Sequence, residues 1–152
     1  AGHTAIFATK GNEDCHIILR GGQAPNYDAE SIAIAVNALI EAHLPPYLMV
    51  DCSHANSYKD YQRQPEVAAD VARQISGGNT AIAGIMIESH LQAGRQDIMN
   101  KKPEELVYGQ SITDGCIGFD ATEKMLHQLA EAVTQRRNLR SAGTANNFTA
   151  LP

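Results

Sequence analysis

The stretch Cys15-His16-Ile17-Ile18-Leu19-Arg20-Gly21-Gly22 decides how the rest of the chain is read. Its first five residues form a short apolar run without the alternation of a half-solvated strand. That predicts a strand buried in a parallel sheet. The run stops on a cation and two glycines. The same arrangement recurs twice. The apolar run at 47–50 ends in Asp51-Cys52-Ser53-His54-Ala55-Asn56, and the run at 81–87 ends in Glu88-Ser89-His90. Helical patterns lie between and after these strands. Residues 29–42 place Ile32, Val36, Leu39 and Ile40 on one face, and 65–75 do so with Val67, Val71 and Ile75. Pro65 suits a first helical turn, and Gly77-Gly78 marks its end. A last helix is predicted over 122–137, with Met125, Leu126, Leu129 and Val133 as its stripe and Arg136-Arg137 near its C-terminal dipole. Strand-helix, strand-helix, strand-loop-helix predicts an α/β fold with right-handed crossovers and a parallel sheet.

The chain has 152 residues, which suits one domain, and its 43% apolar content is that of a globular protein. A net charge of -5 gives no overall positive field for nucleic acid or an anionic membrane surface. No apolar run reaches the roughly 20 residues that span a bilayer. Ala1-Gly2-His3-Thr4 shows no basic region leading into an apolar stretch, so no signal peptide is expected. Cys15, Cys52 and Cys116 lack CxxC spacing and read as reduced thiols, with Cys15 and Cys52 as small buried apolar residues; the expected location is cytoplasmic. Residues 4–9 read as a further strand or half of a hairpin ended by Gly11-Asn12. The tail at 138–152, rich in small and polar residues, reads as mobile.

Chemistry in such folds gathers at the C-terminal ends of parallel strands. Arg20, His54 and Glu88 fall at equal intervals, one βα unit apart, and are expected to converge there. Asp114, in Ser111-Ile112-Thr113-Asp114, joins them from the connection before the last helix. One imidazole and two carboxylates suit manganese, iron or zinc, so His54, Glu88 and Asp114 are candidate ligands of a divalent cation. Arg20 beside two glycines can grip a phosphate or carboxylate through its guanidinium fork. Asp51 and Asn56 are candidates to orient His54. Plainer readings stand beside these. An Asp ahead of a helix, like Asp28 or Asp114, is usually an N-cap. His3, His16, His43, His90 and His127 read as surface or core residues.

Four segments carry a resemblance to a known family. Cys15 to Gly22 followed by Pro25-Asn26-Tyr27, Asp51-Cys52-Ser53-His54-Ala55-Asn56-Ser57, Ile87-Glu88-Ser89-His90-Leu91, and Tyr108-Gly109-Gln110-Ser111-Ile112-Thr113-Asp114-Gly115-Cys116-Ile117-Gly118 occur in order with fitting spacing. Together they resemble the last three strands, and the following loop, of class I 3-deoxy-D-arabino-heptulosonate-7-phosphate (DAHP) synthases. The resemblance implies the C-terminal part of a (β/α)8 TIM barrel, about three βα units, over 1–137. It implies a transferase that condenses phosphoenolpyruvate with erythrose 4-phosphate and releases phosphate, at the entry to the shikimate pathway and aromatic amino-acid biosynthesis. It makes His54, Glu88 and Asp114 ligands of a divalent metal ion (Mn, Fe, Co or Zn). Arg20 becomes a phosphoenolpyruvate-binding residue, His54 lies close to that substrate, and Asp114 borders the substrates.

A barrel of this kind needs roughly 200 residues or more. The family's fourth metal ligand is a cysteine on an early strand, and none of Cys15, Cys52 or Cys116 stands at its position. The expectation is therefore a chain that is inactive alone, pairs with the N-terminal half of the barrel, and forms a homo-oligomer. Two alternatives are a related 3-deoxy-octulosonate 8-phosphate synthase and a non-catalytic half-barrel module that binds metal or phosphate.

Overall fold

The computed structural model describes residues 2, 4–12, 14–99 and 101–148, with side chains through Ala142. Ala1 and His3 lie outside the described residues, as do 149–152, so the readings of the extreme N-terminus and of the tail's end fall there. Three strands form a parallel sheet in the order β1 (Ile17–Leu19), β2 (Leu48–Asp51), β3 (Ile82–Met86). β2 is central, with Leu19 beside Val50 on one side and Ile85 beside Val50 on the other. The crossovers are α1 (Ala29–Glu41) and α2 (Gln64–Ser76), and α3 (Phe119–Phe148) ends the described fold. No helix among the described residues is long and apolar enough to cross a membrane.

Local chemistry places these elements. Asp28 caps α1, its Oδ1 accepting from Ser31 N–H at 2.9 Å. The hydrogen bonds from Ser31 hold the Asp28 carboxyl below its ordinary value. Pro65 sits in the first turn of α2 and Gly77 caps its end. The period-2 geometry of β2 sends Leu48 and Val50 to one face, where both are fully buried. They meet Ile32 of α1, Val71 and Ile75 of α2, Ile82 of β3 and Ala132 of α3. A second cluster joins Cys52 to Val67, Ala68, Ile117 and Met125 nearer the strands' C-terminal ends.

Several expectations are corrected. Residues 4–9 form no strand or hairpin half, and Ile6 and Phe7 stand exposed. β1 is shorter than the apolar run, and Ile17 and Ile18 are nearly half exposed, because β1 is an edge strand with a neighbour on one side only. Cys15 lies outside β1 and is exposed, whereas Cys52 is buried as expected. Ile40 and Leu126 turn to solvent, which narrows the apolar stripes of α1 and α3. α3 runs on through Phe148, so Arg136 sits mid-helix, where its Nη1 donates to Asn79 O at 2.9 Å. The connection after β3 hides a second small sheet in which β4 (Gln92–Arg95) pairs in parallel with β5 (Gln110–Ser111). No periodicity in so short a pair announces it.

Candidate active site

The ends of β1 and β2 are tied together by Asn56, which is buried. Its Nδ2 donates to Leu19 O at 3.1 Å and to Asp51 O at 2.8 Å, the last residues of the two strands. Its Oδ1 accepts from Asn26 N–H at 2.8 Å, and Asn26 Oδ1 accepts from Gly21 N–H at 2.7 Å. Gly21 has φ +78°, and a Cβ there would come within 2.7 Å of the Ala55 Cβ. Only glycine fits that contact in that conformation. Asn56 therefore works on the backbone that carries Arg20 and His54 rather than on the imidazole ring.

The loop after β2 is strained. His54, Tyr58 and Lys59 all adopt positive φ, at 51°, 54° and 61°. Each costs about 1–3 kcal/mol for a side chain with a Cβ, and such strain persists only where surrounding contacts hold it. Here Lys59 N–H donates to His54 O at 2.7 Å and Tyr58 N–H to Ala55 O at 3.1 Å. The imidazole of His54 is aimed by Asp51. Its buried Nδ1 lies 2.8 Å from Asp51 Oδ2, short of the alignment of a full hydrogen bond. A carboxylate facing Nδ1 favours the proton on that nitrogen and leaves the Nε2 lone pair free. Nε2 faces Glu88 Oε1 at 3.7 Å.

Glu88 is held from three directions. Gln64, fully buried at the start of α2, donates from Nε2 to Glu88 O at 2.9 Å and accepts Glu88 N–H at 2.8 Å. Ser53 Oγ donates to Glu88 Oε2 at 2.6 Å. Ile117 N–H donates to Glu88 O at 3.0 Å, which tethers the segment that carries Asp114. Gly115 in that segment packs against Tyr61, where a Cβ would approach Cδ1 to 2.6 Å. Asp114 is not an N-cap, since α3 begins only at Phe119.

These parts enclose a cavity of ≈ 310 Å³ lined by Arg20, His54, Lys59, Tyr61, Glu88 and Asp114, with Ser53 and Gly115 beside them. All four residues expected to converge do so. Asp51 and Asn56 lie beneath them. Sequence reasoning missed Ser53, Lys59, Tyr61 and Gln64. Lys59 had a visible signal, a cation five residues past His54 in the same loop. The long reach of Gln64 to Glu88 left none.

The cavity combines two cationic side chains with two carboxylates and an imidazole. Its donors fit a hard or borderline divalent cation in kind. They form a pair, His54 Nε2 and Glu88 Oε1, rather than a finished cage. No group of three or more His, Cys, Asp or Glu side chains among the described residues is gathered closely enough to hold an ion. Cys116 lies near the acidic pair; burial, with the charges of Glu88 and Asp114, pushes its thiol up against the opposing hydrogen bond of Ser111.

Comparison with known proteins gives one consistent picture. The sequence profile described as the DAHP synthetase I family matches residues 1–127. The Phe-sensitive phospho-2-dehydro-3-deoxyheptonate aldolase of Escherichia coli K12 is 53% identical over 136 residues, covering 90% of this chain and 38% of that protein. The tyrosine-inhibited enzyme of that name from Schizosaccharomyces pombe is 50% identical over 139 residues, covering 90% of this chain and 37% of its own. The solved structure of the phospho-2-dehydro-3-deoxyheptonate aldolase of Francisella tularensis SCHU S4 superimposes with a TM-score of 0.79 at 52% identity, covering 87% of this chain and 38% of that one. The chain thus spans well under half the length of the relatives it matches.

Proposed function

Because the chain belongs to the DAHP synthetase I family, we propose that it carries the last three βα units of a (β/α)8 barrel and one part of a 3-deoxy-7-phosphoheptulonate synthase site. The observation that carries this reading is the shared cavity of Arg20, His54, Glu88 and Asp114 at the C-terminal ends of the strands, where barrel enzymes keep their chemistry. The heptonate names of its relatives favour the seven-carbon product over the eight-carbon one.

The reaction joins phosphoenolpyruvate to the aldehyde of erythrose 4-phosphate, adds water at the enol carbon and releases phosphate. Arg20 offers a bidentate fork to the carboxylate or phosphate of phosphoenolpyruvate, and Lys59 adds a second positive charge on the same wall. Both offset a substrate that arrives highly charged. For the family's divalent metal (Mn, Fe, Co or Zn), His54 and Glu88 supply a facing pair of donors and Asp114 stands on the same cavity wall, with Asp51 keeping the imidazole turned toward Glu88; the three are not gathered into a complete ligand set in this chain by itself. When bound, such an ion supplies Lewis-acid polarisation of the aldehyde. Asp114 borders the space where the sugar phosphate lies. The 1–137 segment forms the synthase part, and the work is done in the cytoplasm by a homo-oligomer.

The test is reconstitution. The chain alone, with phosphoenolpyruvate, erythrose 4-phosphate and Mn2+, is expected to give no keto-acid product. Mixed with the N-terminal portion of the Escherichia coli relative, it should give product, and His54→Ala should abolish it. Turnover by the chain alone, or product that survives His54→Ala, would overturn the reading.

A further inference from the structure

Arg20 and Lys59 both line the candidate cavity, and neither forms an ion pair among the described residues. Their basic neighbour Arg63 is occupied. Its guanidinium lies 4.7 Å from the centre of the Tyr58 ring, and its Nε lies 3.3 Å from Glu66 Oε2. Glu88 directs its oxygens to Ser53 and His54 rather than to either cation. The backbone under Lys59 is costly for a lysine. Tyr58 and Lys59 are consecutive residues in the left-handed region, at φ 54° and 61°. Glycine enters that region freely, and a residue with a Cβ does not. The turn is held by bonds that make no use of the lysine side chain. Lys59 N–H donates to His54 O at 2.7 Å, Asp60 N–H donates to Ser57 O at 3.0 Å, and Asp60 Oδ1 accepts from Gln62 N–H at 3.0 Å. Lys59 itself is exposed. The fold would thus be served better by glycine at 59, and packing gives no reason for lysine. What the side chain does reach is the cavity, and strain kept beside a cavity points to a task there.

We propose that Lys59 is a binding residue for one phosphate dianion, its ammonium completing a two-cation grip with the Arg20 guanidinium, and that its left-handed backbone is strain retained for that task. This rests on the reading of the cavity as a substrate site, and within that site it assigns the pair to phosphate rather than to carboxylate. At pH 8 a phosphate group carries close to two negative charges and a carboxylate carries one. The fork of Arg20 alone matches a single charge, and the second cation matches the second. Lysine suits this part, because a compact ammonium needs no planar partner and can meet any phosphate oxygen. The bond from Lys59 N–H to His54 O ties the root of the lysine to the main chain of His54, whose ring lines the same cavity.

The test titrates inorganic phosphate into the 152-residue chain at pH 8, read by phosphorus NMR, with urea midpoints taken in phosphate-free buffer. Lys59→Gln should weaken phosphate by about tenfold or more, the scale for losing one charge-assisted hydrogen bond, and leave the midpoint unchanged. Lys59→Arg should keep most of the affinity. Lys59→Gly should lose affinity as Lys59→Gln does yet raise the midpoint, because the strain it relieves exceeds the freedom it adds to the unfolded chain. Lys124→Gln removes the same charge from exposed α3, outside the cavity, and should change neither reading. Displacement by phosphoenolpyruvate, erythrose 4-phosphate and pyruvate identifies the source. Either phosphate ester displacing best supports the grip, and pyruvate displacing as well as both overturns it. A lower midpoint in Lys59→Gly, no rescue by Lys59→Arg, or equal weakening in Lys124→Gln would also overturn it. Full affinity in Lys59→Gln with loss in Arg20→Gln sinks the role of Lys59 and leaves the substrate site standing. No phosphate binding by the wild-type chain, or binding unchanged in both Gln variants, removes the substrate reading of the cavity and the proposal with it.

Discussion

The two faces of the three-stranded sheet differ sharply. On one, Leu48, Val50 and Ile82 disappear under α1, α2 and α3. On the other, Ile18 and Met49 sit side by side in register and remain accessible, and Met49 borders a cavity of ≈ 400 Å³ with Ala83, Gly84, Tyr47 and His16. A strand with buried residues on both faces is what the unbroken apolar runs predicted. The described fold completes one face with its own helices and leaves the other apolar but uncovered. The finished face holds the fold together. On the reading proposed above, the open face is the one that would pack against the rest of the barrel. The candidate site sits at the rim shared by both.

Substitutions sort along this division. The largest loss of stability is expected from Leu48→Ala, which empties a fully buried position on the finished face. It should cost about 2–5 kcal/mol, read from the urea midpoint. A cost under 1 kcal/mol would mean that this face is not packed as described. Asn56→Ala comes next, at about 2–3 kcal/mol, because it leaves Leu19 O, Asp51 O and Asn26 N–H without their partner. Unlike Leu48→Ala, it should also disturb the cavity, since the strand ends carrying Arg20 and His54 lose their common tie. Amide exchange of Asn26 should speed up in this variant and not in Leu48→Ala.

A smaller effect tests the second cluster on the covered side. Burial, assisted by the Asp51 charge, pushes the Cys52 thiol up to about 12 from its ordinary 9.0. The unfolded chain then releases this proton at a lower pH than the folded one. Between pH 9 and 12 the unfolded state binds fewer protons, so stability falls as pH rises, by about 1.4 kcal/mol per pH unit from this group. Below pH 9 the contribution is flat. Urea midpoints at pH 8, 9 and 10 should therefore drop more steeply above pH 9 in the wild type than in Cys52→Ala. Parallel curves would show the thiol is not buried. Exposed Cys15 should react with a thiol reagent at pH 8 while Cys52 does not.

What was legible in the sequence follows the same division. Strand and helix order, the turn at Gly77, the cap at Asp28 and the convergence of Arg20, His54, Glu88 and Asp114 all depend on short-range patterns or on the regular repeat of βα units. The exposure of Ile17 and Ile18 was not legible, because an apolar run looks the same in an edge strand as in a central one. The long α3 escaped notice because the small and polar residues after Arg137 carry no apolar stripe. Ser53 and Gln64 were hidden for a different reason. Their value lies in contacts with Glu88 across 35 and 24 residues of chain, which no local pattern encodes.

The smallest expected change in stability is the most informative about the open face. Ile18→Lys places a charge beside Met49 on that face, at a position already 46% exposed. Little packing is lost and the lysine stem can lie along the apolar surface while its ammonium reaches water. The isolated chain should therefore lose less than about 1 kcal/mol, within the range of ordinary surface substitutions. In the reconstitution mixture the same lysine would face a packed barrel interior, where an unpaired charge is expensive to bury. Product formation should then fail although the chain is folded and keeps the cavity of Arg20, His54, Glu88 and Asp114. Leu48→Ala weakens the chain itself, whereas Ile18→Lys should leave it sound and block only its completion. Normal reconstitution with Ile18→Lys would mean that this face does not turn inward, and the barrel assignment would lose its main physical support.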